Sequence, residues 1–215
     1  TLCLGALDAR RFDVVSPAAT AMSASPWVIG WNHIARRLIV ESPGYPDEAE
    51  RSLELARAIA HMTYRNDHGL SRTQGRRQIE QHGHWHSQAP YSVQTYLEHQ
   101  GTKLQRRYHA ASYVTQLDAM DHHDLMRRPA QPEAHETWRE FHEEEDVFER
   151  FDTRTVCIGV TDDRLFGLEH MKDFAQKLQN AGHDADFHEV PTRDGHDGFL
   201  LEHRAIGDIY REILY

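Results

Sequence analysis

The last third of the chain restricts the possible folds more than any other stretch. Thr155-Val156-Cys157-Ile158-Gly159-Val160 is a β-rich apolar run ending at Thr161-Asp162-Asp163, and a run of that kind bounded by turn formers predicts a buried strand. Phe166–Ala181 has the spacing of an amphipathic helix, and Gly182 closes it because glycine takes the left-handed conformation just past a helix end at little cost. Ala185-Asp186-Phe187-His188-Glu189-Val190 alternates as a second strand, and Gly195-His196-Asp197-Gly198 opens a final helix. Strand, helix, strand, helix with short links predicts βαβ units and a parallel sheet, since parallel neighbours need a crossover.

A matching piece lies at the other end. Phe12-Asp13-Val14-Val15-Ser16-Pro17 reads as a buried strand that follows a short helical piece ending at Asp8-Ala9-Arg10-Arg11. The middle is helical. Ser25 caps and Pro26 opens a helix that continues through Trp27–Ile34, proline being pre-set for the first helical position. Pro46–Arg65 carries the stripe Leu53, Ala56, Ile59, Ala60 and Met62, and helices resume at Tyr91–Leu104 and Ala110–Asp121. The polar stretch Gly69–Gln88 reads as loop, and the charged stretch Arg127–Arg150 as a solvated helix or a linker. The expected class is therefore α/β, with one parallel sheet interrupted by an inserted helical cap. Residues 1–25 and 149–215 form the core and 26–148 the cap.

Composition narrows the partners. Among 215 residues, 24 Lys and Arg stand against 34 Asp and Glu, a net charge of −10, which argues against a general nucleic-acid binder or an anionic-membrane binder. The 17 histidines offset much of that deficit near pH 6.5, where roughly half are protonated. Two cysteines, Cys3 and Cys157, imply no disulfide framework and suit a reducing, cytoplasmic compartment. No run approaches the ~18 apolar residues of a membrane helix, and the N-terminal stretch has no basic start before a long apolar core, so neither membrane nor export is expected. An apolar content of 39% is thin for a self-sufficient globule and points to core supplied from elsewhere.

In open α/β sheets, catalytic groups gather outside the carboxyl ends of the strands. Asp162-Asp163 follows the first of the C-terminal strands, and Gly195-His196-Asp197 the second. An acid and then a histidine, in that order, is the back half of a Ser–His–Asp arrangement. The carboxylate fixes the imidazole tautomer and stabilises the imidazolium formed when it takes the nucleophile's proton. The competing expectation is that the two aspartates cap the next helix and His196 is a loop histidine. No serine lies in a G-x-S-x-G frame, and Cys3 lacks flanking glycines and is expected to pack as a small hydrophobe. His82-Gly83-His84-Trp85-His86 places three imidazoles at alternate positions, but with no Cys close by and no H-E-x-x-H it reads as a polar loop, and no metal is expected. Glu143-Glu144-Glu145-Asp146 reads as a solvated face.

Motifs in order along the chain carry a resemblance. They are Ala18-Ala19-Thr20 with Ser25-Pro26-Trp27, the run Leu53–Tyr64, Tyr96-Leu97-Glu98-His99-Gln100-Gly101-Thr102-Lys103, Ala111-Ser112-Tyr113 and Asp121–Leu125. Asp163-Arg164-Leu165-Phe166 and Gly195–Leu200 complete the set. Together they resemble the C-terminal part of the homoserine O-acetyltransferase family, α/β-hydrolase-fold acyltransferases of methionine biosynthesis. The resemblance implies a partial α/β-hydrolase fold, with Asp163 as triad acid and His196 as triad base. It implies Arg57 as a contact for the substrate carboxylate and Asp197 for its ammonium; the alternatives are a surface cation and a helix cap. Acyl-CoA would be co-substrate rather than bound cofactor, and a hydroxy amino acid such as homoserine the acceptor. It further implies a homodimer through the cap helices and a nucleophile elbow just upstream of Thr1, so that this chain alone is expected to be inactive. Arg164, Gly167, His109 and Ala111 depart from the family pattern and leave the acyl donor and acceptor open. A non-catalytic dimerisation module and an esterase of the same fold are the alternatives.

Overall fold

A computed structural model describes residues 1–7, 11–79, 89–128, 139–140, 145–149 and 151–214. The chain starts with α1 (Leu2–Leu7) and β1 (Val14–Val15). A helical stretch follows: α2 (Pro26–Val40), α3 (Glu50–Tyr64), α4 (Asp67–Thr73), α5 (Ser92–Gln105) and α6 (Ala110–Asp121). Two short strands, β2 (Arg127–Arg128) and β3 (Arg139–Glu140), pair antiparallel, and α7 (Glu145–Phe148) leads back towards the sheet. The C-terminal part holds β4 (Arg154–Val160), α8 (Leu168–Asn180), β5 (Ala185–Val190), α9 (Gly198–Leu201) and α10 (His203–Leu214). A single 3-10 turn at Gly195–Asp197 precedes α9.

Strands from opposite ends of the chain meet in one parallel sheet, ordered β1-β4-β5. Val14 pairs with Arg154, and Thr155 through Val160 pair with Ala185 through Val190. Beyond β1 the pairing continues, as Ala19 N–H donates to Ile158 O and Ile158 N–H to Pro17 O, both at 2.9 Å. Central β4 is buried almost throughout, as its unbroken apolar sequence requires.

Alternate residues of β4 enter different cores, because successive Cβ atoms point to opposite faces. Val156, Ile158 and Val160 pack with Val190 against Ile206 and Ile209 of α10. Cys157 packs on the other face with Met171, Phe174 and Leu178 of α8 and with Phe148 and Phe151. A third core, away from the sheet, joins Ala35 and Ile39 to Leu53, Ala56, Leu104, Tyr113 and Leu117. Each fully buried Leu, Ile, Phe or Met side chain contributes about 1.5–3 kcal/mol, so each core is a substantial unit.

The capping expectations hold in detail. Ser25 Oγ accepts from Val28 N–H with Pro26 next in the chain, and Gly182 has φ +86° just past α8. Three expectations need correction. α3 begins at Glu50 rather than at Pro46. The start of the stretch expected to be loop, Gly69–Thr73, belongs to helix α4, because Asn66 Oδ1 accepts from Gly69 N–H at 2.8 Å and Thr73 donates to Gly69 O at 2.8 Å. Seven residues are too few to show an apolar period. The charged stretch Arg127–Arg150 is not solvated at its end, since Val147 and Phe148 of α7 are buried with the Phe148 ring 6.0 Å from that of Phe174. The His82–His86 run and Glu143-Glu144 lie outside the described residues. Among those described, no helix is long and apolar enough to cross a membrane.

Candidate active site

The turns after β4 and β5 are tied together before either contributes a functional side chain. Thr161 N–H donates to Val190 O at 3.1 Å. The Thr161 hydroxyl donates to Thr192 O at 2.9 Å while accepting from Thr192 N–H at 2.8 Å. Gly198 makes the second turn possible, because a Cβ there would lie 2.4 Å from Thr192 Cγ2. Asp162 takes φ +58°, a left-handed bend that aspartate tolerates better than most residues. That bend delivers Asp163, not Asp162, to the inside.

Asp163 and His196 meet there. Asp163 Oδ2 lies 2.9 Å from His196 Nδ1, and Oδ1 accepts the Leu165 and Phe166 amides at 2.8 Å each. Its side chain is fully buried. One oxygen therefore closes the turn and the other orients the histidine; the capping alternative is not realised, because the next helix starts at Leu168 with Gly167 as its N-cap and no side-chain cap bond. The imidazole is walled by Phe199, Phe166 and Tyr64, with ring centroids 5.1, 5.4 and 5.7 Å away. Since Nδ1 is engaged by the carboxylate, Nε2 is the nitrogen available for proton transfer. His196 forms one wall of a cleft of about 310 Å³, with Leu2, Pro17–Thr20, Phe166 and Phe199 among the other walls. No serine or cysteine is among the described residues lining it.

Cys3 is not packed as a small hydrophobe. It is exposed, with Sγ 3.6 Å from His123 Nδ1, and the other ring nitrogen of His123 reaches Ala21 O at 2.8 Å. The contact with His123 lowers the thiol pKa.

The end of α3 comes down on the His196 turn. Gly195 has φ +72°, and a Cβ there would sit 2.9 Å from Tyr64 O. Gly69 of α4 is equally tight, 2.9 Å from Asp194 Oδ1. Arg65 Nη2 pairs with Asp194 at 2.9 Å, and Arg72 reaches both oxygens of Asp194 at 2.8 and 2.7 Å. Arg65 Nη1 also lies 3.8 Å from Asp197 Oδ2. Asp197 makes no side-chain cap bond to α9, so the capping alternative is not realised. Burial raises its pKa, against the pull of Arg65, His196 and Arg57.

Arg57 packs its guanidinium over the Tyr64 ring at 5.5 Å, and Tyr64 in turn faces His196. The structure thus gathers Asp163, His196 and Asp197 at the turns after β4 and β5, and stacks Arg57 on Tyr64, whose ring faces His196; among these, His196 lines the cleft. Sequence reasoning did not single out His61, Tyr64, Arg65, Tyr96 or Asp194. A usable signal existed for part of the set: positions 57, 61 and 64 share one face of α3 at i, i+4 and i+7. Among the described residues, no group of three or more His, Cys, Asp or Glu is arranged to hold a metal ion.

Comparison with known proteins gives this geometry a family context. No family model matches the chain. It is 27% identical over 217 residues to the homoserine O-acetyltransferase of Moorella thermoacetica, covering 98% of this chain and 55% of that protein. The crystal structure of the Bacillus anthracis homoserine O-acetyltransferase superposes with TM-score 0.75 at 16% identity, covering 94% of this chain and 52% of that one. Esterase E22 superposes with TM-score 0.77 at 12% identity, covering 100% and 57%. The chain spans about half the length of the curated relatives it matches, from 39% to 55% for those most similar. Its sequence is similar to homoserine O-acetyltransferases over most of its length, and its fold is part of the α/β-hydrolase fold.

Proposed function

We propose that this chain carries the acid–base pair and the acceptor-binding cap of an acyltransferase that moves an acyl group from acyl-CoA to an amino-acid hydroxyl, homoserine being the first candidate. The observation that carries the reading is the 2.9 Å contact between His196 Nδ1 and a fully buried Asp163 on the wall of an open cleft. Similarity to homoserine O-acetyltransferases supports it.

In this scheme a serine attacks the thioester, and His196 Nε2 takes the serine proton and returns it to the departing CoA thiolate. The acyl-enzyme is then attacked by the acceptor hydroxyl, whose proton passes to His196 and back to the serine oxygen. Asp163 holds the tautomer throughout. Arg57 receives the acceptor carboxylate, as a guanidinium fork suits two carboxylate oxygens, and Asp197 receives the ammonium. The helices from α2 to α6 cover the site, exclude water and supply the contacts of a homodimer. No bound cofactor is needed beyond the acyl-CoA substrate, and the cytoplasm supplies it.

Water as acceptor would make the protein an esterase, and water needs neither Arg57 nor Asp197. Arg57, stacked on the Tyr64 ring that faces His196, and Asp197, beside His196 in the chain, lie close to the acid–base pair, which favours an amino-acid acceptor. Because the cleft lining holds no serine or cysteine among the described residues, the chain alone is expected to release no CoA from acetyl-CoA and homoserine above a His196→Ala control. Binding is the sharper test. Calorimetry should show saturable homoserine binding, weakened about 10- to 100-fold by Arg57→Ala. Absence of binding in the unaltered chain, or an Arg57→Ala affinity equal to it, would refute the assignment. Sedimentation tests the homodimer, and a dimer that binds no homoserine would favour the non-catalytic module.

A further inference from the structure

The acceptor wall contains a buried imidazole that the acyl-transfer scheme does not use. His61, one turn before Tyr64 on α3, is only 6% exposed. Its Nδ1 lies 3.3 Å from Tyr96 Oη. Its Nε2 is buried and has no hydrogen-bond partner among the described residues. The rings of Tyr96 and Tyr64 stand edge-on to it at 5.7 and 5.9 Å. Burial, reinforced by the positive charges of Arg57, Arg65 and Lys103, holds its pKa near 4, so at neutral pH the ring carries a single proton.

That proton has two possible places. On Nε2 it would be a buried N–H with no acceptor, which is both costly and the rarer kind of orphan in folded proteins. On Nδ1 it meets the Tyr96 oxygen, and only a lone pair is left unmet at Nε2. The second arrangement is the cheaper one, and it has a consequence for Tyr96. Once the Tyr96 oxygen accepts from His61, its own hydroxyl hydrogen is free to donate elsewhere.

Other observations say what it donates to. Arg65 Nε, at the C-cap of the same helix, is likewise buried without a partner among the described residues, and an arginine Nε–H is only ever a donor. Arg57 and Arg65 both place positive charge near the Tyr96 phenol, with Asp197 also in range. No hydrogen bond joins Tyr96 to Asp197 among the described residues. Unmet donors gathered among cations call for an anionic oxygen ligand.

We propose that Tyr96 is a specificity-determining donor to the carboxylate of the acceptor, and that His61 is the positioning residue that turns its hydroxyl hydrogen toward that ligand. Arg65 Nε completes the same subsite. Only the identity of the carboxylate as that of a hydroxy amino acid rests on the acyl-transfer reading; the orientation of Tyr96 does not.

Two measurements on the full chain test this. Long-range ¹H–¹⁵N spectra of histidine-labelled protein between about pH 5.5 and 8 should show His61 neutral throughout and protonated on Nδ1, assigned by its loss in His61→Gln and its shift in Tyr96→Phe. A proton on Nε2, or titration near the ordinary histidine value, would overturn the proposal. The second compares homoserine with 3-aminopropan-1-ol, the same alcohol without the carboxylate. Tyr96→Phe should weaken homoserine binding about tenfold and leave the amino alcohol unchanged; equal losses for both, or none for either, would overturn it. If the unaltered chain bound neither compound, the acyl-acceptor reading would fall, and the His61 tautomer would decide whether Tyr96 is a donor to some other anion.

Discussion

At the sheet edge, Asp163 is fully satisfied, with two amides on one oxygen and His196 on the other. At the end of α3, His61 Nε2 and Arg65 Nε are left over, buried and without partners among the described residues. The two walls face each other across Tyr64, which touches the rings of both His61 and His196. A satisfied network costs nothing further to hold and keeps its geometry whether or not substrate is present. An unsatisfied one is completed by a ligand or by water. On the proposed reading the sheet edge is a preorganised acid–base device and the end of α3 a receptor, and the two should respond differently to mutation.

The largest difference is expected at Asp163. Asp163→Ala removes the acceptor for two amides and one imidazole in a fully buried place, and breaking such a group leaves partners unpaired at about 3–5 kcal/mol. Asp163→Asn keeps one acceptor oxygen and should lose about 1–3 kcal/mol. Urea unfolding of both variants reads this directly. A loss of less than about 1 kcal/mol for Asp163→Ala would remove the preorganised character claimed for the sheet edge.

How much of this was legible beforehand differs between the walls for a physical reason. The strand Thr155–Val160, the helix end at Gly182 and an acid at position 162 or 163 ahead of His196 follow from local chemistry: apolar runs, a glycine past a helix, polar residues after strands. Choosing Asp163 over Asp162 needed the family motif, although the structure shows why, since Asp162 is used up in the left-handed bend. The receptor wall was hardly legible. Arg65 and Asp194 are far apart in sequence and meet at 2.9 Å, as do His61 and Tyr96 at 3.3 Å, and neither pair leaves a periodic trace. The short α4 was missed because its cap, Asn66, sits in a stretch whose polar composition masks it.

Next in size is the seam's ion pair. Arg65 and Asp194 have side chains only 10% and 8% exposed, whereas Arg72, the other partner of Asp194, is 57% exposed. Arg65→Met should destabilise by about 2–4 kcal/mol, because a nearly buried carboxylate loses its buried partner. Arg72→Met should lose less than about 1 kcal/mol, as expected for a solvent-screened pair. Equal losses would mean that Asp194 is better hydrated than its burial indicates.

The pH dependence separates the walls by sign. His61 has its pKa lowered to about 4 in the fold, so on acidification the unfolded chain takes up the proton first. Its contribution is intact above the ordinary histidine value of about 6.5 and falls by about 2–3 kcal/mol as pH drops toward 4. Asp197 has a raised pKa, so the folded chain holds its proton longer. Its contribution is favourable in acid and is lost as pH rises from the ordinary aspartate value through the folded one. Stability against pH for His61→Gln, Asp197→Asn and the unaltered chain isolates the two slopes. Asp197→Asn should be more stable than the parent at neutral pH, and a parallel pair of curves would show that Asp197 is not desolvated.

The smallest effect tests the contact between the walls. Gly195 and Gly182 both have positive φ, +72° and +86°, but a Cβ on Gly195 would lie 2.9 Å from Tyr64 O, while one on Gly182 would meet nothing within 4 Å. Alanine at either position incurs the left-handed penalty of about 1–2 kcal/mol. Only at Gly195 must the cap backbone also move, and overpacking of this kind adds about 1–3 kcal/mol. The difference between Gly195→Ala and Gly182→Ala in urea unfolding therefore measures how firmly the end of α3 is seated on the His196 turn. A difference near zero would mean that the receptor wall yields readily. Arg57, Tyr64 and Tyr96 would then be positioned by the proposed ligand and not by the sheet.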